Sequence, residues 1–169
     1  MIARFTVPGP PQGKGRPRFT RTGHAFTPAK TAEYERQIRQ AYTRQCGQTF
    51  PEDAALRVKI VAWFSVPASD SKARRDMKLK HKMLPIKKPD WDNIGKVICD
   101  ALNGLAYRDD SQIVDGRVIK VYGEQPKVTV IIEVIEADNT EPQHDIPTNT
   151  EKPRRAACKR SHGASQEED

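Results

Sequence analysis

The chain has 169 residues, of which 36% are hydrophobic, and a formal net charge of +7 at pH 7. This length and apolar fraction predict one domain with a modest core. The chain contains no run of about 18 apolar residues, which a membrane-spanning helix would need. The basic charge favours a polyanionic partner such as nucleic acid. The spacing of Cys46, Cys99 and Cys158 matches no zinc site or disulfide framework, as expected of a cytoplasmic protein.

The amino-terminal part predicts a strand followed by a basic loop. Residues 2–7 are rich in strand-forming side chains and end at a run of proline and glycine. The loop that follows, residues 12–30, contains no acidic residue. It is either a solvated loop or a surface that contacts DNA phosphates. Its candidate DNA-binding residues are Lys14, Arg16, Arg18 and Arg21.

A helix and a second strand are predicted next. Apolar side chains recur at helical spacing over residues 31–46, with Thr31 as the N-cap and Gly47 as the stop. Residues 55–66 alternate between apolar and basic positions and then become continuously apolar, which predicts a strand.

The segment 71–88 is strongly basic, with Asp76 as its one acidic residue. We expect it to begin as a short helix. The segment is either an arm that becomes ordered on DNA or a solvated part of the surface. Its candidate DNA-binding residues are Arg74, Arg75, Lys87 and Lys88.

The remaining folded part predicts one helix and two strands. The helix covers residues 92–105, and strands at 114–122 and 127–135 are joined as a hairpin by residues 123–126. The element order predicts an α/β or α+β domain, in which two or three helices pack on a small mixed sheet of about four strands.

The chain is predicted to end in a disordered tail. Residues 138–169 are mostly polar, so their burial could not offset the entropy that ordering them would cost. Acidic residues slightly outnumber basic ones there, so the positive charge belongs to the rest of the chain. We therefore predict one folded domain over residues 1–137 and a tail over residues 138–169.

Three aspartates are candidate metal ligands. Asp90 and Asp92 are two residues apart, which places both side chains on one side of an extended segment, and Pro89 favours such a segment before it. Asp92 or Asn93 then caps the following helix. Asp110 lies in a polar stretch that can fold back toward the other two. The alternative is that all three are ordinary cap and turn residues.

A lysine shares the exposed face of the predicted helix with one of these carboxylates. Lys96 follows Asp92 by four residues, opposite the apolar stripe. Clustered carboxylates bind Mg²⁺, which offsets the charge that develops when a phosphodiester is hydrolysed. A nearby lysine can stabilise the phosphate or orient the attacking water. The alternative is a surface ion pair that contributes little.

The same stretch resembles the RusA family of Holliday-junction resolvases. The matching residues, in order, are Asp90-x-Asp92-Asn93, Lys96, Asp100-Ala101-Leu102 and the run DDSQIV at 109–114. The amino-terminal PPQGKGRPR is also similar to the family's basic loop, and the resemblance spans residues 1–136. Trp91 stands at a position that is usually aliphatic, which is expected to alter packing beside the ligands without removing the site.

The resemblance implies a homodimer of mixed α/β fold that cuts four-way DNA junctions by paired symmetric nicks, in DNA recombination and repair in a bacterium or its phage. It implies Asp90, Asp92 and Asp110 as ligands of Mg²⁺, with Mn²⁺ as a substitute, and Lys96 as the catalytic lysine. Two alternatives remain open: a DNA-binding module without catalysis, and a metal-dependent nuclease acting on other branched DNA.

Overall fold

The computed structural model describes residues 1–16, 18–19, 22 and 25–135. Its elements are β1 (Ile2–Pro8), β2 (Arg18–Phe19), β3 (Ala25–Phe26), α1 (Ala29–Gln45), β4 (Leu56–Ser65), α2 (Lys72–Leu79), α3 (Trp91–Leu102), a 3₁₀ helix (Asp110–Gln112), β5 (Ile113–Gly123) and β6 (Lys127–Val134). None of the helices in this part of the chain is long and apolar enough to cross a membrane. The predicted tail, residues 138–169, lies outside the described residues.

Four strands form a mixed sheet in the order β1-β6-β4-β5. Strand β6 pairs antiparallel with both β1 and β4, whereas β5 runs parallel to β4. The short strands β2 and β3 pair separately with each other. The expected class, an α+β domain with a mixed sheet of about four strands and two or three helices, is confirmed.

The predicted hairpin between the last two strands is wrong. Residues 124–126 do connect β5 to β6, but β4 lies between these two strands in the sheet. Burial explains the order, because β6 buries Val128, Val130 and Ile132 completely, whereas the edge strand β5 leaves Val114 and Ile119 exposed. A turn signal is local and does not specify which strand becomes the neighbour.

One face of the sheet carries the core. Every second residue of β4 from Leu56 to Phe64 is buried, as expected of a strand with one covered face. Helix α1 packs on β1 and α3, and α3 packs on β5. The buried stripe of α3 agrees with the predicted one and consists of Ile94, Val97, Ile98, Ala101 and Leu102. The opposite, polar face of α3 is therefore left at the surface.

The helix ends differ from the predicted ones by a few residues. Helix α1 begins at Ala29, so Thr31 lies inside the helix, where its hydroxyl accepts a hydrogen bond from the Gly15 amide at 3.2 Å. The expected stop at Gly47 is confirmed by its φ of 68°. Helix α3 ends at Leu102 because the chain turns at Gly104, whose φ of 67° suits glycine.

Candidate active site

Two of the predicted ligands, Asp90 and Asp92, lie together at the amino-terminal end of α3. Asp90 is the N-cap residue and Asp92 is in the first turn. Both are exposed, and both line a surface concavity of about 530 Å³, hereafter the acidic concavity. Its other lining residues are Ile86, Lys87, Trp91 and Lys120. The structure therefore brings these two carboxylates together beside two lysines.

The geometry of the pair differs from the prediction in one respect. The expected cap was Asp92 or Asn93, but the helix begins one residue earlier because the Asp90 carbonyl already accepts a hydrogen bond from the Ile94 amide at 3.1 Å. The Asp90 side chain makes no capping hydrogen bond. Asp92 is helical, so the argument from an extended segment does not apply to it. Neither carboxylate forms an ion pair within the described residues, although the Asn93 side-chain amide donates a hydrogen bond of 3.4 Å to Asp92 Oδ1.

Lys120, on β5, is a site residue that the sequence analysis missed. Its ammonium donates hydrogen bonds to the carbonyl oxygens of Lys87 and Pro89, the latter at 3.0 Å. These bonds fix the segment that leads into α3. A usable signal existed, since Lys120 lies between Val118 and Tyr122 on the side of β5 that faces the core, where an apolar residue is expected.

Lys96 lies on the exposed face of α3, one turn after Asp92, as predicted. No ion pair joins its ammonium to any carboxylate in the part of the chain that the structure describes. One turn further along, Asp100 is 2.8 Å from the ammonium of Lys14. The helix therefore presents a lysine without an ion pair between Asp92, which also has none, and Asp100, which pairs with Lys14.

The third predicted ligand, Asp110, lies on a different element from the other two. It begins the 3₁₀ helix, for which Asp109 is the N-cap and accepts a hydrogen bond from the Ser111 amide at 2.9 Å. Hydrogen bonding from Ser111 lowers the pKa of Asp109. Asp110 is exposed, and within the described residues its carboxylate has no hydrogen-bond or ion-pair partner. The two neighbouring aspartates thus differ, since one is a cap and the other is free.

Asp110 acts on the second half of α3. Burial raises the pKa of the Cys99 thiol to about 11, and the charges of Asp110 and Asp100 add to this effect. Among the described residues, no three His, Cys, Asp or Glu side chains lie close enough together to hold a metal ion. The structure therefore gives Asp90 and Asp92 a common concavity and places Asp110 on a separate element, within electrostatic reach of Cys99.

A larger cleft, of about 700 Å³, lies between the amino-terminal loop and the starts of α1 and α3, and it shares Asp90 with the acidic concavity. The loop is held on α3, because the Lys14 amide donates to the Asn93 carbonyl at 2.8 Å. Glycine at position 13 permits this approach, since a Cβ there would lie 3.0 Å from the Cβ atoms of Asn93 and Pro89. The basic residues that line the cleft are Lys14, Arg16, Lys30 and Lys88.

The predicted DNA-binding residues have several environments. Four are exposed: Arg16, Arg74, Arg75 and Lys88. Lys87 is also exposed, with its ammonium 5.7 Å from the centroid of the Phe64 ring, whereas Lys14 forms two ion pairs. Arg21 and the side chain of Arg18 lie outside the described residues.

The basic segment 71–88 is packed against the sheet. Helix α2 begins after the N-cap Ser71, as expected, and packs on β5. Lys78 is buried, pairs with Asp70, and lies 4.7 Å from the centroid of the Tyr122 ring. The segment is therefore an anchored part of the domain with an exposed basic side, rather than a free arm.

Exposed carboxylates beside exposed lysines and arginines, on a small α+β domain, suit an enzyme that acts on nucleic acid. Residues 8–133 match the family described as endodeoxyribonuclease RusA. The chain belongs to this family of endodeoxyribonucleases, which are hydrolases acting on DNA. It is also 36% identical over 138 residues to the uncharacterized protein YqaN of Bacillus subtilis (strain 168), a match that covers 79% of this chain and 97% of YqaN.

Proposed function

We propose that this endodeoxyribonuclease resolves four-way DNA junctions by paired symmetric nicks and depends on Mg²⁺. The observation that carries the proposal is the position of Asp90 and Asp92, which are exposed and free of ion pairs in a concavity that also contains Lys87 and Lys120. Membership of the RusA family supports branched DNA as the substrate.

Mg²⁺ suits the oxygens available at this site. The ion commonly uses one or two protein carboxylates, keeps several waters and takes further oxygens from substrate phosphates, so Asp90 and Asp92 suffice as its first ligands. Asp110 is the proposed third ligand: no other group holds its carboxylate among the described residues, and the proposal requires it to approach Asp90 and Asp92 when the ion binds. Mn²⁺ prefers similar ligands and is expected to substitute. When bound, the ion offsets the charge that develops on the phosphate and lowers the pKa of the attacking water.

Lys96 is the proposed catalytic lysine. Its ammonium is exposed and unpaired within the described residues, on the same helix face as Asp92. A fixed positive charge there stabilises negative charge that builds up on the phosphate oxygens during cleavage. Lys120 has a different task, since its bonds to the carbonyls of Lys87 and Pro89 hold the segment that carries Asp90.

The exposed cations around the site are proposed to hold the DNA backbone. Because Asp90 lines both the larger cleft and the acidic concavity, a strand that lies along both passes the carboxylates. Contacts to phosphates position the DNA without reading its sequence, so binding should weaken steeply with salt. The proposed contacts are the exposed residues Arg16, Lys30, Arg74, Arg75, Lys87 and Lys88. Arg18 and Arg21 are proposed from the sequence alone, since Arg21 and the side chain of Arg18 lie outside the described residues.

A homodimer is proposed because a four-way junction offers two equivalent strands to cut, which a two-fold symmetric protein matches. The edge strand β5 supports association, since among the described residues it pairs with β4 alone and leaves Val114 and Ile119 exposed by 65% and 41%. Sedimentation of the whole protein tests the dimer. A monomer at concentrations that give paired nicks would contradict it.

The central experiment measures cleavage of a synthetic four-way junction, with a linear duplex as control, in Mg²⁺ and in EDTA. Paired nicks in the junction strands that disappear in EDTA are expected. Asp90→Asn, Asp92→Asn and Asp110→Asn should each slow cleavage by roughly a hundredfold or more while junction binding persists. The matched control is Asp53→Asn, an exposed carboxylate in the turn before β4.

Other results would select other functions. Tight junction binding without cutting in Mg²⁺ or Mn²⁺ would indicate a DNA-binding module. Equal cutting of flaps or of the linear control would indicate a nuclease of different specificity. Lys96→Ala should slow cleavage by about a hundredfold with little change in binding, and an equal loss of binding would contradict its catalytic role.

A further inference from the structure

Lys14 forms a bridge between the amino-terminal loop and two helices. Its ammonium is 2.5 Å from the Glu35 carboxylate of α1 and 2.8 Å from the Asp100 carboxylate of α3. The three side chains are between 21% and 26% exposed. Partial burial acts to lower the pKa of Lys14, but its hydrogen bonds with Asp100 and Glu35 outweigh this and raise the pKa above its ordinary value. The Lys14 ammonium is therefore already engaged by two carboxylates within the protein.

The position of the Lys14 ammonium is fixed by the loop backbone. The Lys14 amide bonds to the Asn93 carbonyl on α3, and the next amide, of Gly15, bonds to the Thr31 hydroxyl on α1. Because both neighbouring amides are tied to the helices that carry Glu35 and Asp100, little loop entropy remains to oppose the ion pairs. The bridge is thus a built part of the fold.

Asp100 has a second possible partner on its own helix. It follows Lys96 by four residues, and oppositely charged side chains at this spacing on a helix attract each other. Yet the structure gives Lys96 no ion pair among the described residues, while the Asp100 carboxylate is taken by Lys14. One carboxylate thus has two candidate lysines, and in the structure Lys14 is the one that holds it.

We propose that Lys14 holds Asp100 away from Lys96 and so keeps the Lys96 ammonium free to act on the DNA phosphate. Lys14 is a positioning residue that acts through Lys96, and Asp100 is the carboxylate that it withholds from Lys96. This gives a role to Asp100, for which the family resemblance supplied none, and it gives Lys14 a task other than phosphate binding. The inference rests on the proposed catalytic function of Lys96.

The test compares Lys14→Met, Asp100→Asn and the double variant in the full chain. In single-turnover cleavage of the junction, K14M should lower the rate constant about fivefold, because the released Asp100 pairs with Lys96. D100N should leave the rate near that of the wild type, and K14M/D100N should recover most of it. The matched control is Glu35→Gln, which alters the other side of the bridge and leaves Asp100 held. Junction affinity should change less than twofold in all four.

Three outcomes overturn the inference. If Lys14 acts only by holding the loop, the double variant will be as slow as K14M. If Lys14 contacts phosphate, K14M will lose affinity rather than rate, and D100N will not restore it. The ¹⁵N NMR signal of the Lys96 ammonium tests the inference without relying on activity. It should move in K14M and return to its wild-type position in K14M/D100N. A wild-type protein that cuts no junction would refute the proposed function, whereas an NMR signal that does not move in K14M would refute the inference that Lys14 holds Asp100 away from Lys96.

Discussion

Replacing Lys78 by methionine tests how the basic helix α2 is anchored. The side chains of Lys78 and Asp70 are only 7% and 11% exposed and form an ion pair. Removing one partner of a buried pair costs about 3–5 kcal/mol, and in this variant Asp70 would keep only the longer ion pair with the exposed Arg74, whose Nε is 3.9 Å away. Methionine fills most of the space of the lysine stem, so a cavity adds little. Because Asp70 keeps some contact with water, we expect a loss near the lower end, about 3 kcal/mol.

The measurement is urea unfolding of K78M, of Lys80→Met and of the double variant K78M/D70N. Lys80 pairs with Asp76, but these side chains are 62% and 56% exposed, so K80M should cost less than about 1 kcal/mol. The double variant should recover more than half of the K78M loss, because no unpaired charge then remains. A K78M loss no larger than that of K80M, or a double variant as unstable as K78M, would refute the reasoning.

Three further results are expected. Gly13→Ala places a Cβ 3.0 Å from the Cβ atoms of Asn93 and Pro89, so it should lower the free energy of unfolding by about 1–3 kcal/mol and slow junction cutting. Unchanged stability together with unchanged cutting would contradict the packing of the loop on α3. Gly104→Ala should cost about 1 kcal/mol in urea unfolding, because φ is 67° in otherwise open space, and wild-type stability would argue against this turn. The buried Cys99 thiol has its pKa raised to about 11. Because the thiolate is the reactive form, Cys99 should react with iodoacetamide at pH 8 about a hundredfold more slowly than an ordinary thiol, and faster as the pH approaches 11. In a variant whose other cysteines are serine, a rate like that of a free thiol would exclude this burial.

The strands and the apolar stripe of α3 were predictable because their signals are periodic and local. The alternation in β4 and the helical spacing from Ile94 to Leu102 depend on neighbours within a few residues. The pairing of strands was not predictable in the same way. The turn after β5 suggested a hairpin, but the alternative neighbour, β4, is some fifty residues earlier in the chain, and only the completed core places it between β5 and β6.

The same distinction applies to the site. Asp90, Asp92 and Lys96 lie within one helix turn or two of each other in sequence, so their common surface could be inferred from the chain. Lys120 reaches Pro89 only through the parallel pairing of β5 with β4, and Lys14 reaches Asp100 only through the packing of the loop on α3. Charge alone assigned Lys14 to DNA contact, since nothing in the basic loop indicates where the opposing carboxylates lie.

The strand order also constrains how the domain is made. The first strand of the chain, β1, has β6 as its sheet partner, and β6 is the last strand among the described residues. During synthesis, β1 and one side of β4 therefore lack their sheet partner until nearly all of residues 1–134 have been translated. Contacts between such distant parts of a chain form slowly. The acidic concavity, which depends on β5 for Lys120, is completed only after β5 has been translated. A ribosome-bound fragment that ends before β5 would carry Asp90 and Asp92 without the strand that fixes their approach.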